Sequence, residues 1–340
     1  MYRAAIVGCG PRSINHARAY APIGRAELVA CCSRRAEVRD PFAARFGLRA
    51  YADVAEMLER EKPDLVHLVT WPAGRASLMA LVHQHNVPAC IVEKPIAAQV
   101  ADWRQLRALA AVTRTKFATC HQFRWHSALS AGREALRSGR LGRLLFLDCS
   151  ARFNISGQGT HLLDYAMSLN ADSPVTRVFG AASGGTQMDS PHPGPDNTVA
   201  QLDFANGVRA LWSTGLASPQ AIDDATPWKH VRIAAYAERG RTLYEEFGRW
   251  QIVSPDGIES GEAGDMQAWA DGNLAAQAGL VNAMLDWIEN DARPAGTHLK
   301  QSLHQWNVVL GLYASALWRR PVDIPFDVPD DLFAQLARAL

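Results

Sequence analysis

The sequence predicts an α/β chain, with a parallel sheet covered by helices in its first part and an antiparallel sheet followed by helices in its second. Three observations predict it. Short apolar runs alternate with amphipathic stretches over about the first 120 residues. Gly8 and Gly10 separate the first of these runs from a helical pattern. Past the middle, strict alternation of Thr198, Ala200, Leu202 and Phe204 with Val199, Gln201 and Asp203 leads into an Asn206-Gly207 turn, as in a hairpin.

Within a first strand Arg3 to Val7, the apolar run Ala4-Ala5-Ile6-Val7 suits burial on both faces. The two glycines then let the backbone turn sharply and approach a ligand closely. Ile14, Ala17 and Tyr20 fall on one face of the following helix, whose first amides can point at a pyrophosphate. With Pro11 and Arg12 in the turn and Ser13 where a third glycine or alanine is usual, the stretch is a dinucleotide fingerprint.

Further strands are expected at Glu27 to Cys32, Arg49 to Tyr51, Leu65 to Thr70, Ala89 to Glu93 and Phe117 to Cys120, with helices between them. In such sheets ligands bind outside the carboxyl ends of the strands. After the second strand come Ser33, Arg34 and Arg35, where an NAD-preferring site usually places a carboxylate. A hydroxyl beside a guanidinium suits a 2′-phosphate, which favours NADP over NAD. After the fourth strand, Thr70, Pro72 and Arg75 form a turn into a helix Arg75 to His85; after the fifth come Glu93, Lys94 and Pro95. Two charges directly after Ala-Cys-Ile-Val are an odd placement unless the sheet edge needs them. Partly desolvated there, Lys94 could act as acid or base, or donate to a substrate hydroxyl.

Gly8-x-Gly10, Thr70-x-Pro72, Glu93-Lys94-Pro95, the Arg124 segment, His161-Leu162-Leu163-Asp164 and the closing Arg320-Pro321-Val322-Asp323-Ile324-Pro325 together resemble the glucose-fructose oxidoreductase, inositol dehydrogenase and rhizopine catabolism (Gfo/Idh/MocA) family. The resemblance runs almost end to end. It implies a nucleotide-binding Rossmann domain over residues 1–121. A substrate-binding and oligomerisation α/β domain over 122–340 would carry a large, mostly antiparallel sheet. It also implies hydride transfer between NADP or NAD and a hydroxyl or keto group of a sugar, sugar derivative or cyclitol. By that resemblance Lys94 touches nicotinamide ribose and substrate, and His161 is the acid/base toward the substrate hydroxyl. Arg124 and Gln158 are candidate substrate contacts, and Glu93 is counted with the cofactor site.

Two positions depart from the family pattern. Gly157 stands where many members carry an aspartate, and Arg75 replaces a histidine after Thr-x-Pro. Without the aspartate, the proton relay falls to Lys94 and His161. Three residues apart on a helix, His161 and Asp164 project to one face, where the carboxylate could fix the imidazole tautomer. Ser156 to Gly159 reads as flexible, and Met188 to Asn197, with four prolines and glycines, as a lid loop. Two other readings stay open: redox-neutral cleavage of a glycoside by bound NAD(P), and a non-catalytic nucleotide sensor.

The rest of the second half reads as strands at Val208 to Ser213, Val231 to Tyr236, Thr242 to Phe247 and Trp250 to Val253. Two helical stripes follow, on Leu274, Ala278, Val281, Leu285 and Ile288 and on Leu303, Trp306, Leu310, Tyr313 and Leu317.

Composition narrows the partner classes. The chain has 340 residues with 35 Lys plus Arg against 34 Asp plus Glu, and no block of like charge that would mark nucleic acid or a membrane surface. No apolar stretch approaches the roughly 18 residues of a membrane span. The six cysteines form no metal spacing and fit a reducing, cytoplasmic compartment. No metal site is expected. The expected partners are a small molecule and further copies of the chain, as a dimer or tetramer.

Overall fold

The computed structural model describes residues 1–262 and 264–340. In the strand β1 (Tyr2–Val7) the last four side chains, Ala4 to Val7, are all buried, so the strand sits inside a sheet covered on both faces. It is followed by α1 (Pro11–Arg18), β2 (Ala26–Cys32), α2 (Ala36–Phe46), β3 (Arg49–Tyr51), α3 (Val54–Glu61), β4 (Leu65–Leu68), α4 (Arg75–Gln84), β5 (Ala89–Val92), α5 (Val100–Val112) and β6 (Lys116–Thr119). The sheet order is β3-β2-β1-β4-β5-β6 and every pair is parallel. This is the doubly wound order whose ligand crevice lies outside the carboxyl ends of β1 and β4, where the winding reverses.

The ladders are shorter than the sequence suggests. β4 stops at Leu68 and β5 at Val92, which puts Thr70 and Glu93 in the loops at the sheet's carboxyl edge. The sixth strand is shifted back by one residue, because Lys116 to Thr119 pair with Ala89 to Val92. The first helix ends at Arg18, so Tyr20 follows it rather than lying on it.

The chain forms two compact units. The first comprises Met1–Ala97, Ala101–Gln122 and Asn273–Leu303; the second comprises Ala98–Val100, Phe123–Gly272 and His304–Leu340. In the first, Thr119 N donates to Thr297 O and Trp103 Nε1 to Leu303 O, tying residues 297–303 to β6 and α5.

The second unit adds α6 (Ser127–Arg137), β7 (Leu144–Ala151), α7 (Thr160–Leu169), β8 (Val175–Ser183), β9 (Asn197–Phe204), β10 (Arg209–Thr214), β11 (Val231–Ala237), β12 (Gly240–Glu245), β13 (Arg249–Ser254) and β14 (Gly257–Glu262). Then come α8 (Met266–Glu289) and α9 (Leu299–Trp318), whose residues 273–289 and 299–303 belong to the first unit, and β15 (Val322–Asp323) and α10 (Leu332–Ala339) of the second unit. Its nine-stranded sheet runs β14-β13-β12-β11-β7-β10-β9-β8-β15, and β7 with β10 is the parallel pair in an otherwise antiparallel ladder.

Both apolar stripes lie on helices, α8 and α9, whose stripe residues Leu285, Val281, Trp306, Leu310 and Tyr313 are buried. No helix of the described residues is long and apolar enough to cross a membrane.

Candidate active site

Gly8 sits at φ +100, and a Cβ there would lie 2.1 Å from Val69 O, so only glycine fits between β1 and the end of β4. Gly10 differs. A Cβ on it meets nothing within 4 Å, and it caps α1 without a side-chain bond and with no acidic residue in the first turn. Behind it the Ser13 hydroxyl is buried and has no hydrogen-bond partner. Open space, a helix N-terminus and an orphaned donor together fit the phosphates of a dinucleotide. Ser33 and Arg34 follow β2 in a turn where Arg34 is exposed.

Arg75 lies between the two loops at the carboxyl edge of the sheet. It is 1% exposed, and its guanidinium donates to the backbone carbonyls of Thr70, Glu93 and Pro95. It therefore braces the Thr70-Pro72 turn against the Glu93-Pro95 turn, the two loops assigned to the cofactor site. A histidine could not reach three carbonyls in this way. Burial lowers its pKa to about 10.

Glu93 is buried, with Oε1 accepting from Arg12 Nε and His16 Nε2, each at 2.9 Å, and Oε2 from Lys94 N at 3.2 Å. Burial alone would raise its carboxyl, but Arg12 and the His16 N–H outweigh it and hold it well below the usual range. Burial lowers the Lys94 amine to about 8, against the Glu93 charge that raises it. An amine poised there exchanges protons readily near neutral pH. Arg12 is thus anchored to Glu93 through Nε.

His16, Glu93 and Cys120 bring ligand-type atoms within 4.8 Å of one another. The 2.9 Å between His16 Nε2 and Glu93 Oε1 is shorter than the roughly 3.3 Å separating two ligands on a tetrahedral zinc with ordinary bond lengths. A hydrogen bond accounts for the contact.

In the second unit, His161 and Asp164 both lie on α7. His161 is partly exposed, and its Nδ1 is 3.3 Å from the Tyr165 hydroxyl. The Phe123 ring lies 6.5 Å from its own. Asp164 is fully buried, with Oδ2 2.7 Å from Arg124 Nε and Oδ1 accepting from Arg124 Nη2 at 2.9 Å and Gln305 Nε2 at 2.7 Å. Arg124 also reaches Asp172 at 2.7 Å. Asp164 is accordingly part of an ion cluster that fixes the inner side of α7. Arg124 is thus paired with two carboxylates.

Residues 155–159 are not flexible in the sense the glycines imply. They form a buried π-helical turn leading into α7, capped by Asn154 Oδ1 accepting from Gly157 N at 2.8 Å. A Cβ on Gly157 would fall 2.2 Å from the Phe153 ring and 2.8 Å from Asn154 Oδ1, so an aspartate fits here only if these side chains shift. Gln158 Nε2 donates to Trp228 O at 2.5 Å, while its Oε1 is buried without a partner. Residues 188–196 form irregular chain, as expected of a loop, and it is tied down: Asn154 Nδ2 donates to His192 O and Ser156 Oγ to Pro193 O.

Sequence reasoning did not single out His16, His67, Tyr165 or Gln305. The one available signal was His67, a lone imidazole inside the apolar strand Leu65-Val66-His67-Leu68.

Residues 2–121 match the model of an oxidoreductase family with an NAD-binding Rossmann fold. Along the whole chain the sequence is 31% identical to a D-apiose dehydrogenase of Paraburkholderia graminis, covering 95% of this chain and 90% of that enzyme. A D-apiose dehydrogenase of Rhizobium rhizogenes is 22% identical over 95% of this chain and 97% of its own. Among solved structures, an oxidoreductase from Agrobacterium radiobacter in complex with NAD+, L-tartaric acid and magnesium superimposes with a TM-score of 0.80 at 21% identity, over 95% of this chain and 98% of that one.

Proposed function

We propose that this chain, which belongs to the Gfo/Idh/MocA family of NAD-binding oxidoreductases, interconverts a secondary hydroxyl and a ketone on a sugar, sugar derivative or cyclitol. The observation that carries the reading is the Glu93-Lys94-Pro95 turn at the carboxyl end of β5, with a desolvated lysine whose amine is lowered to about 8. The sugar class is supported by the D-apiose dehydrogenases it resembles.

Bound nicotinamide supplies the hydride acceptor or donor. Gly8, Gly10, Pro11, Arg12 and Ser13 form the phosphate turn, Thr70 and Pro72 the wall after β4, and Glu93 and Lys94 the edge of β5. Arg75 holds these last two loops in register. Lys94 donates to the reacting oxygen, and His161 takes or returns the hydroxyl proton. Asp164 keeps α7, and with it His161, in place through Arg124 and Gln305. Gln158, with an unpartnered Oε1, is the better candidate for a substrate hydroxyl than Arg124.

Ser33 and Arg34 favour NADP, since an exposed guanidinium after β2 can pair with a 2′-phosphate. The six cysteines, all buried and free, suit a reducing cytoplasm. Phe179, Val199 and Leu211, each about half exposed on neighbouring strands of the nine-stranded sheet, offer an apolar face for a homo-oligomer.

The test is a single-turnover fluorescence assay for reduced nicotinamide, with excess protein, NADP or NAD, and a panel of aldoses including apiose, ketoses, glycosides and cyclitols. A signal with one compound and a faster one with NADP is expected. Silence across the panel with cofactor bound, or release of free aglycone without net reduction, would overturn it.

A further inference from the structure

Behind the Glu93 turn, the first unit buries a row of titratable side chains that proton exchange at Lys94 does not itself require. Glu93 Oε1 is 2.9 Å from His16 Nε2, His16 Nδ1 is 2.9 Å from His67 Nδ1, and His67 Nε2 is 2.6 Å from the Tyr20 hydroxyl. His16 and His67 are wholly buried and Tyr20 nearly so.

Proton bookkeeping gives this row a direction. Burial disfavours the cation in both rings and lowers both histidines, so each carries one N–H and one acceptor nitrogen. The ionised Glu93 only accepts. His16 must then hold its proton on Nε2, which leaves Nδ1 to accept. His67 must hold its proton on Nδ1, which leaves Nε2 to accept from Tyr20. Gln277 Nε2, 3.5 Å from His16 Nδ1, faces the same acceptor. Every donor points toward Glu93.

We propose that Tyr20, His67 and His16 are positioning residues that hold Glu93 in one orientation and thereby set the basicity of Lys94. Glu93 acts on Lys94 through its charge and through the Lys94 N–H that Oε2 accepts. The other groups facing Lys94 are Arg12, Arg75 and Cys120. His16 also faces Arg12 and Cys120, and His67 faces Glu93. A donor lost anywhere in the row lets the Glu93 carboxylate turn away from its present orientation, so it supports the neighbouring ammonium less.

The inference rests on the reading of Lys94 above, so its test avoids substrate and turnover. Trinitrobenzenesulfonate labels the Lys94 amine in protein without added cofactor, from about pH 6 to about pH 10, and peptide mass spectrometry reads the extent. A glutamine amide takes the place of a histidine Nε2, and an asparagine amide that of Nδ1. His16→Gln and His67→Asn thus keep the needed donor, whereas His16→Asn and His67→Gln lose it.

The first two variants should label with the wild-type midpoint. The other two should label with a midpoint lower by at least about half a unit. Tyr20→Phe, which removes a single hydroxyl, should shift it the same way by less, and it serves if a histidine variant does not fold. A 15N spectrum should show both rings neutral at pH 7 with the assigned tautomers. Equal shifts in all four histidine variants, no shift in any, a rise, or a His16 proton on Nδ1 would each overturn the proposal. If Lys94 proved dispensable for turnover the labelling pattern would still stand, so the two failures are distinguishable.

Discussion

The two candidate proton-handling residues are supported by buried polar clusters built on different plans. Behind Lys94, neutral rings pass hydrogen bonds along to one carboxylate, Glu93, which Arg12 pairs as well. On the helix of His161, Asp164 is locked by a full cation, Arg124, which also serves Asp172. A neutral link is worth about 1 kcal/mol and can be altered singly. A buried ion pair that loses its partner leaves an uncompensated charge costing about 3–5 kcal/mol. The first plan suits tuning, and the second suits holding a backbone still.

Replacing the residue that the first cluster serves should give the largest effect. Lys94→Met should lower the single-turnover rate by about 10²–10⁴-fold while circular dichroism and melting stay those of the parent. A rate near the parent's would show that the cluster tunes nothing chemical. Breaking the second cluster should act on stability instead. Arg124→Leu should cost about 3–5 kcal/mol in urea unfolding, and adding Asp164→Leu should recover much of it.

The turn before His161 sharpens the contrast, because it takes a charge only if Phe153 and Asn154 shift. Gly157→Asp should destabilise by about 1–3 kcal/mol, relieved by a second change, Phe153→Ala. Unchanged stability in the aspartate variant would contradict the packing described.

A third buried carboxyl follows neither plan. Glu246 accepts from the Trp269 indole N–H at 2.7 Å, and burial raises its pKa from 4.5 to about 7. The folded chain therefore binds more protons than the unfolded chain between those values. Its contribution is present below about pH 4.5 and is lost as the pH rises through 7. The urea midpoint should fall over that interval in the parent and stay flatter in Glu246→Gln.

Much of the first sheet was legible because parallel strands buried on both faces must be continuous apolar runs, as at Ala4 to Val7 and Ala89 to Val92. In the second sheet β9 and β10 were legible from alternation, but β7, β8 and β14 were not. β8 slips its period at a bulge between Val175 and Arg177, and β14, an edge strand, exposes most of its residues. At the site, Lys94 declared itself as a charge after an apolar strand. The partners of Arg75, Arg124 and Asp164 could not be inferred from spacing, since each lies across a distance in sequence that only the fold closes: Arg75 meets Pro95 and Arg124 meets Asp164.

The two glycines after β1 look equivalent as letters, yet they answer to different demands. Val69 O stands where a Cβ on Gly8 would go, while the space beside Gly10 is open. In a library of single variants sorted once for cellular abundance and once for catalysis, position 8 should be depleted in both sorts and position 10 in the second alone. A lineage that abandoned the reaction but kept the fold could therefore lose Gly10 and would still retain Gly8.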